Sequence, residues 1–378
     1  MWTSFRKTTI SILKASKRPI LIFGNGVKTY AYTVAGGITS DLNSIDIDFP
    51  ATTVKGITYL NGATYVMQPG GQIWNSVVNS VSVNGDWGPL NFIASQIEPD
   101  DGVFLSKQLV YLVAFGQWST EVFFDAGNTS ASPLGPVNGS KISYGCKVAT
   151  SVQKIDDRLL WISATQSAGI QVSILSELNH TVISTKAIDR LLQSANLTTV
   201  YSLQLKINGH SFYILTLKDS NLTLVYDIVE DQWHQWTDED GNYFPFVAYT
   251  YDASGNHVFQ HETDGGLYYV DIDYYTDAGE KIVVDIYTPN FDANTARRKH
   301  LNIMKFYGDQ EVGSILHVRS SDNDYKDWSN FRPVDLSLKT PMLTNCGTFV
   351  RRAYHFRHWS NTPLRLQAVD VQYDLGTL

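Results

Sequence analysis

A pattern of paired strands recurs along this 378-residue sequence at similar spacing. Successive turns lie 46 to 52 residues apart, and each is flanked by short runs of alternating or continuous apolar residues. A third apolar run, and in several units a fourth, follows each hairpin. The turns are at Asn61-Gly62, near Lys107, at Asp156-Asp157, at Asn208-Gly209 and at Ser254-Gly255. Asn-Gly supplies the positive φ that tight hairpins need, so the pattern predicts repeated antiparallel sheets of about four strands.

Repeated small sheets favour one architecture. A single small sheet cannot cover both of its faces, whereas sheets stacked around an axis bury each face against a neighbour. We therefore predict an all-β fold with a β-propeller-like body of four-stranded blades at residues 51–287. Residues 1–50 form a basic amino-terminal segment and a candidate partial blade, and residues 288–378 form a carboxy-terminal β module. A large β-sandwich with evenly spaced strands is the alternative.

One helix interrupts the predicted strands near residues 185–195. In STKAIDRLLQSA the apolar residues recur at helical spacing, and Ser184 or Thr185 can cap the first turn. We interpret this helix as an amphipathic connector. Side chains that alternate within the predicted strands are expected to pack between blades. They are Tyr59, Tyr65, Tyr111, Leu159, Trp161, Phe212 and Ile214.

The composition excludes several classes of protein. Charged residues make up only 17% of the chain, which excludes a charge-rich disordered chain or a coiled coil. No stretch approaches 18 consecutive apolar residues, so we expect no membrane anchor. The amino terminus lacks an apolar run long enough for a signal peptide, which predicts no Sec export. Two cysteines 200 residues apart, Cys146 and Cys346, are expected to be buried thiols.

Charge is distributed unevenly. The first 40 residues carry six basic residues and no acid, residues 286–378 carry a net charge of +3, and residues 41–285 carry −17. A generic nucleic-acid-binding domain is basic throughout. An acidic body with two basic ends instead indicates subunit or neighbour contacts. The candidate contact residues are Arg6, Lys7, Lys17, Arg18, Arg297, Arg298, Lys299, Arg351, Arg352 and Arg357.

Catalytic signals are weak. His261-Glu262 lacks the second histidine of a zincin helix, and the sequence contains neither a Gly-x-Ser-x-Gly elbow nor a phosphate-binding loop. Residues 271–280, DIDYYTDAGE, lack the fifth-position ligand and the glycine of a calcium loop. Ser320–Ser329 resembles a degenerate Asp-box turn, which is structural in the glycan-active propellers that carry it. We expect no catalytic residue, no metal and no cofactor.

Five stretches in a fixed order resemble one protein family. They are GITYLNGATYVMQPGGQIWNS (56–76), LVYLVAFGQWSTEVFFDAGN (109–128), YGCKVATSVQKIDDRLLWIS (144–163), TVISTKAIDRLLQ (181–193) and the basic carboxy-terminal strands with the hairpin VRSSDNDYKDWSN (318–330). Together they are similar to the packaged-DNA stabilisation, or tail hub (nozzle), proteins of short-tailed bacteriophages. The resemblance runs from about Val54 to the end of the chain and leaves the number of blades open.

The resemblance implies a structural virion protein and not an enzyme. Members of this podovirus family form a ring, typically a homohexamer, below the portal and its adaptor protein in the virion tail. The ring continues the DNA channel, helps to retain packaged DNA until ejection, and anchors tail fibres, spikes or tip proteins. An acidic body is compatible with transient DNA passage, since it repels the duplex. The alternative is a non-catalytic glycan- or host-surface-binding β-propeller module.

Overall fold

The computed structural model describes residues 9–13, 20–33, 37–95, 100–167, 169–271, 273–277 and 279–376. Of these residues, those up to Trp236 together with Tyr243–Tyr268 form a first compact unit. Thr237–Asn242 and the residues from Tyr269 onward form a second compact unit. Arg6, Lys7, Lys17 and Arg18, the candidate contacts of the basic amino-terminal segment, lie outside the described residues.

The first unit begins with three antiparallel sheets, each with strands paired in chain order. Sheet 1 contains β1 (Thr9–Leu13), β2 (Ile20–Gly24), β3 (Thr29–Thr33) and β4 (Ile38–Asp41), followed by the one-turn helix α1 (Leu42–Ile45). Sheet 2 contains β5 (Thr58–Leu60), β6 (Ala63–Met67), β7 (Gln72–Ser76) and β8 (Trp87–Ala94). Sheet 3 contains β9 (Gly102–Gln108), β10 (Tyr111–Gly116), β11 (Thr120–Asp125) and β12 (Leu134–Pro136).

Three further sheets complete the described part of this unit. Sheet 4 contains β13 (Gly145–Cys146), β14 (Gln153–Ile155), β15 (Arg158–Ala164), β16 (Gln171–Ser176) and β17 (Asn179–Val182), and helix α2 (Lys186–Ser194) follows it. Sheet 5 contains β18 (Val200–Ile207), β19 (His210–Leu217), β20 (Leu222–Asp227) and β21 (Gln232–Gln235). Sheet 6 contains β22 (Phe246–Tyr251), β23 (His257–His261) and β24 (Leu267–Tyr269). Short 3₁₀ turns lie at Ala149–Ser151 and Lys218–Ser220. These sheets confirm the all-β prediction.

Hairpin turns form where the sequence signals them. Asn61 and Gly62 have φ of 48° and 93°, and Asn208 and Gly209 have φ of 53° and 84°, the left-handed pair that a two-residue hairpin requires. The turn expected near Lys107 lies slightly later, because β9 continues to Gln108. The Gln108 side chain is buried, and its amide donates to the carbonyls of Asp157 and Leu175, both at 2.8 Å. These two bonds join the end of β9 to sheet 4.

Apolar clusters fill the spaces between successive sheets. Separate clusters join sheets 1 and 2, sheets 2 and 3, sheets 3 and 4, and sheets 4 and 5. Between sheets 5 and 6, the Phe244 ring lies 5.5 Å from Trp236 and 5.8 Å from Phe259. Burial of a sheet face against the next sheet is the arrangement that the repeat predicts.

The residues predicted between blades have different environments. Tyr65, Leu159, Trp161 and Ile214 are fully buried, while Tyr111 and Phe212 are half-buried. The prediction for Tyr59 is wrong, since its side chain is 38% exposed. In β5 the neighbours Thr58 and Leu60 take the buried positions, so strand alternation turns Tyr59 outward.

Helix α2 lies where the sequence predicts it. Ile188 and Leu192 are buried in the cluster shared by sheets 4 and 5. The Thr185 side chain accepts a bond from the Ile188 amide at 3.4 Å and caps the first turn. Ser184 donates to Asp189 at 2.6 Å. The helix thus acts as an amphipathic cover over one edge of the unit.

The second unit packs two sheets on a common core. Its strands are β25 (Thr276–Asp277), β26 (Glu280–Lys281), β27 (Val284–Tyr287), β28 (Lys299–Gly308), β29 (Ile315–Ser321), β30 (Arg332–Asp335), β31 (Met342–Thr344), β32 (Thr348–Phe349), β33 (Ala353–His358) and β34 (Leu366–Leu375). One sheet has the order β27-β33-β29-β30. In the other, β28 pairs with β31, β32 and β34. Leu301 and Phe306 of the second sheet meet Leu316 and Phe356 of the first in one buried cluster. The domain boundaries at residues 50 and 287 stay predictions.

Within the described residues, no helix has the length and apolarity that crossing a membrane requires.

Candidate functional site

The described candidate contact residues all lie in the second unit, and three of them are anchored inside it. Lys299 is 0% exposed, and its ammonium donates to the carbonyl of Thr295 and, at 2.8 Å, to that of Val350. Arg297 donates from Nε and Nη2 to the Gly376 carbonyl at 3.0 and 2.7 Å. Arg352, 6% exposed, holds Asp322 through Nε at 2.6 Å and Nη2 at 2.9 Å. These cations satisfy groups of their own chain.

The other three candidates are more exposed. Arg351 forms an ion pair with Asp324, and both side chains are about half exposed. Arg357 holds Asp285 through Nε at 2.6 Å and Nη2 at 2.8 Å. Arg298 has one weak contact, from Nη1 to the Thr348 hydroxyl at 3.4 Å. Arg298 and Arg351 are thus the candidates best placed to reach a neighbouring molecule, and their role in such a contact stays a prediction.

The Asp-box-like segment forms the turn between β29 and β30. The Ser321 hydroxyl accepts from the Tyr325 amide at 3.1 Å, and the Asn323 side chain accepts from the Asp327 amide at 2.9 Å. Asp324 and Tyr325 adopt left-handed φ of 58° and 66° where an Asp box has glycine. The turn's carboxylates are occupied by Arg352 and Arg351. Its geometry is that of a structural hairpin.

A buried histidine lies at the centre of the first sheet of this unit. His355 is 0% exposed, and its Nδ1 accepts from Arg319 Nε at 2.8 Å. Its Nε2 therefore carries the proton and donates to Asp285. Burial lowers the pKa of His355, although Asp285 acts in the opposite direction. Desolvation would raise the pKa of Asp285, but the hydrogen bonds from Arg357 and His355 outweigh it and lower that pKa. His355 and Asp285 have the composition of a catalytic dyad. Their side-chain polar atoms are, however, bound to each other, to Arg319 and to Arg357.

Acid is expected to destabilise the second unit. Burial lowers the pKa of His317, His355 and His358 below the usual histidine value. In the unfolded chain these groups titrate at about pH 6.5. Below that pH the unfolded state binds more protons than the folded state, so the free energy of unfolding falls. Urea titrations at pH 7.5 and 5.5, followed by tryptophan fluorescence, measure the loss.

A matched pair of variants tests this pH dependence. His358→Asn removes one buried imidazole, which lies 3.0 Å from the Ser314 hydroxyl, and should reduce the pH-dependent loss. His300→Asn changes an exposed histidine and should leave the loss unchanged. Stability that stays constant or rises on acidification would contradict the interpretation.

An acidic surface also lies on the second unit. It consists of Asp238, Glu239, Asp240, Asp277 and Glu280, and we name it the acidic patch. Loss of hydration raises the pKa of Glu239, and the charges of Glu280, Asp240, Asp277 and Asp238 raise it further. A carboxylate whose neighbours are also negative is stabilised by any cation that approaches.

The first unit contains an open cavity that sequence reasoning missed. It has a volume of about 450 Å³ and is formed by the first strands of sheets 5 and 6 and the β14 hairpin of sheet 4. We name it the inner-strand cavity. Its lining residues are Gln153, Lys154, Asp156, Gln204, Lys206, Tyr249 and Tyr251. One signal could have indicated it: Lys107, Lys154 and Lys206 each stand one residue before the end of a strand that enters a hairpin.

Metal ligands do not cluster in the part of the chain that the structure describes: it contains no group of three or more His, Cys, Asp or Glu side chains arranged to hold an ion. Cys146 is buried, which raises the pKa of its thiol to about 12, and Cys346 is half-buried. Both thiols are free.

A family model matches residues 7–275 of the chain. The model describes a phage stabilisation family, and its description is "Bacteriophage P22 Gp10, beta-propeller". The match covers more than half of the chain and includes all six sheets of the first unit. No curated protein matches the sequence.

Solved structures give only distant similarities. The computationally designed Ika8 protein is 12% identical, with 69% of this chain and 72% of that chain covered at a TM-score of 0.38. The amino-terminal domain of Nup159 is 8% identical, with 68% and 74% covered at 0.38. An exo-β-1,3-galactanase from Phanerochaete chrysosporium is 11% identical, with 98% and 96% covered at 0.34. At these TM-scores the similarities carry no argument about function.

Proposed function

The chain belongs to the phage stabilisation family of β-propeller proteins, and from that premise we propose that it is a structural protein of the tail hub of a short-tailed phage. The family match over residues 7–275 is the observation that carries the proposal. In this role the chain continues the DNA channel below the portal and its adaptor, helps to retain packaged DNA, and anchors tail fibres, spikes or tip proteins. We expect it to have no catalytic activity.

The proposed assembly is a ring, most simply of six copies. A ring forms when one surface of a subunit binds a different surface of the next and the rotation closes. Such a contact needs two complementary surfaces on each subunit. The second unit has an acidic patch and also exposes Arg298 and Arg351. We propose that the acidic patch of one copy meets basic side chains of its neighbour.

The charge pattern is also compatible with DNA passage. Residues 41–285 carry a net charge of −17, so the body of the protein repels a duplex instead of holding it. The basic residues 1–40 and 286–378 remain available for contact with neighbouring tail proteins. The proposal therefore assigns DNA retention to the closed assembly and not to a DNA-binding face.

Localisation in the particle is the decisive experiment. Cryo-electron microscopy of intact virions should show density for this chain in a ring below the portal. The purified chain, alone or with neighbouring tail proteins, should elute at the mass of a cyclic oligomer. Absence of the chain from particles, or a monomer under both conditions, would exclude the hub role.

Charge reversal in the acidic patch should weaken this assembly. We expect Glu239→Lys to raise the concentration needed for half-assembly about tenfold, because it places a cation against the neighbour's basic surface. The matched control is Glu230→Lys, which makes the same charge change at an exposed residue of the first unit. Mass photometry across a dilution series at low and high salt measures the shift. Equal behaviour of the two variants would argue against the acidic patch as an interface.

A further inference from the structure

Two lysines that line the inner-strand cavity, Lys154 and Lys206, occupy the same position of the repeat as Lys107, which lies on the preceding sheet and outside the lining. Lys107, Lys154 and Lys206 lie on the first paired strands of sheets 3, 4 and 5, one residue before each strand ends. Lys107 Nζ donates to the Tyr59 carbonyl of sheet 2 at 3.1 Å. Lys206 forms an ion pair with Asp156 of sheet 4. These two lysines thus reach back to the preceding sheet, and each has an oxygen partner there.

Lys154 differs from its two counterparts. Its side chain is exposed at the cavity, and it forms no ion pair with any carboxylate among the described residues. Lys107 is near enough for the charge of Lys154, together with burial, to lower the pKa of Lys107. The partner of Lys107 is a neutral carbonyl and Lys154 has no ion pair, so these two ammonium groups, which repel each other, attract an anion.

The other lining groups match a ligand rich in hydroxyls. Tyr251 is 48% exposed, and its ring lies 5.4 Å from that of Tyr249, whose hydroxyl is fixed by a 2.6 Å bond to His257. An exposed aromatic ring next to polar groups suits the apolar face of a pyranose. The side-chain amide of Gln204 has no hydrogen-bond partner in the described part of the chain. The Asp156 carboxylate supplies an acceptor. A carboxylate at this position accepts hydrogen bonds from sugar hydroxyls, which a DNA phosphodiester group does not offer.

We propose that the inner-strand cavity binds an acidic saccharide, with a sugar carboxylate at Lys154, hydroxyls at Gln204 and Asp156, and a pyranose ring against Tyr251. This binding site lies in the first unit and is independent of the acidic patch. The cavity volume of about 450 Å³ fits one or two sugar residues of a longer chain.

Isothermal titration of the full-length chain tests this inference. The probes are tetragalacturonate, 3′-sialyllactose, the neutral maltotetraose, and a single-stranded hexathymidylate. At least one acidic saccharide should bind saturably, more tightly than maltotetraose, with an affinity that falls as salt is added. Failure of both acidic saccharides to bind, or tighter binding of hexathymidylate that depends on the same residues, would overturn the inference.

Matched variants locate the binding site. Lys154→Ala should weaken binding of the acidic saccharide about three- to fivefold, whereas Lys326→Ala, an exposed lysine of the second unit, should not change it. Tyr251→Ala should weaken binding about five- to tenfold, while Tyr251→Phe keeps the ring and most of the affinity. All four variants alter exposed side chains, and circular dichroism verifies their folding. Equal affinity of Lys154→Ala and the wild type would contradict the assignment.

Discussion

Gly56→Ala is expected to lower the free energy of unfolding of the first unit by about 3 kcal/mol or more. An alanine Cβ at this position would lie 2.0 Å from the Leu105 carbonyl oxygen and 2.8 Å from the Leu105 nitrogen. Both are backbone atoms and cannot turn aside. The φ of Gly56 is +93°, a conformation that is strained for alanine as well. The clash would separate Lys55 from β9 and break the 3.1 Å bond from the Leu105 amide to the Lys55 carbonyl.

Gly85 provides a control with nearly the same backbone. Its φ is +91°, but no heavy atom lies within 4 Å of an added Cβ. Gly85→Ala therefore measures the conformational strain alone, about 1–2 kcal/mol. The difference between the two variants in urea unfolding, followed by tryptophan fluorescence, isolates the close approach of sheets 2 and 3. Equal losses would show that the backbones separate without cost.

Trp161→Ala is expected to lower the free energy of unfolding of the first unit by about 3–5 kcal/mol. Trp161 is fully buried between sheets 3 and 4, 5.0 Å from the Phe115 ring. Its indole Nε1 donates to the Gly145 carbonyl at 3.0 Å. Removing the side chain leaves a cavity and takes the hydrogen bond from a buried carbonyl. We expect the unfolding midpoint in urea to fall accordingly.

Two further variants separate these contributions. Trp161→Phe keeps an aromatic ring but not the hydrogen bond, so its loss should be intermediate. Trp359→Ala, at a half-buried tryptophan of the second unit, should leave the unfolding of the first unit unchanged. If Trp161→Ala and Trp359→Ala had similar effects on that transition, the packing between sheets 3 and 4 would not control the stability of the first unit.

Local features were predicted well from the sequence. The Asn-Gly turns and the capped helix α2 depend on neighbours within a few residues. Turn chemistry and side-chain periodicity depend on residues close together in the chain, so they can be predicted directly from the sequence. The family, too, could be recognised from the order of short stretches, and the family model confirms it over residues 7–275.

The role of a basic side chain could not be read in the same way. In ARRKH, three adjacent cations look equivalent, yet Lys299 is fully buried on two carbonyls while Arg298 is exposed. A buried ammonium is stable only if acceptors surround it, and one of those acceptors, Val350, comes from a distant part of the chain. Sequence distance therefore hides which cations are available for an interface.

The inner-strand cavity also combines features that the sequence predicts with features that depend on the tertiary structure. The sequence determined that strands would alternate and that hairpins would recur, which places Lys107, Lys154 and Lys206 at one position of the repeat. Only the tertiary structure decided that Lys206 would be neutralised by Asp156, that Lys154 would not, and that Tyr251 would join them. Alternation fixes the face of a strand, whereas the partners across that face are set by how one sheet packs on the next, through contacts between residues about 50 or more positions apart.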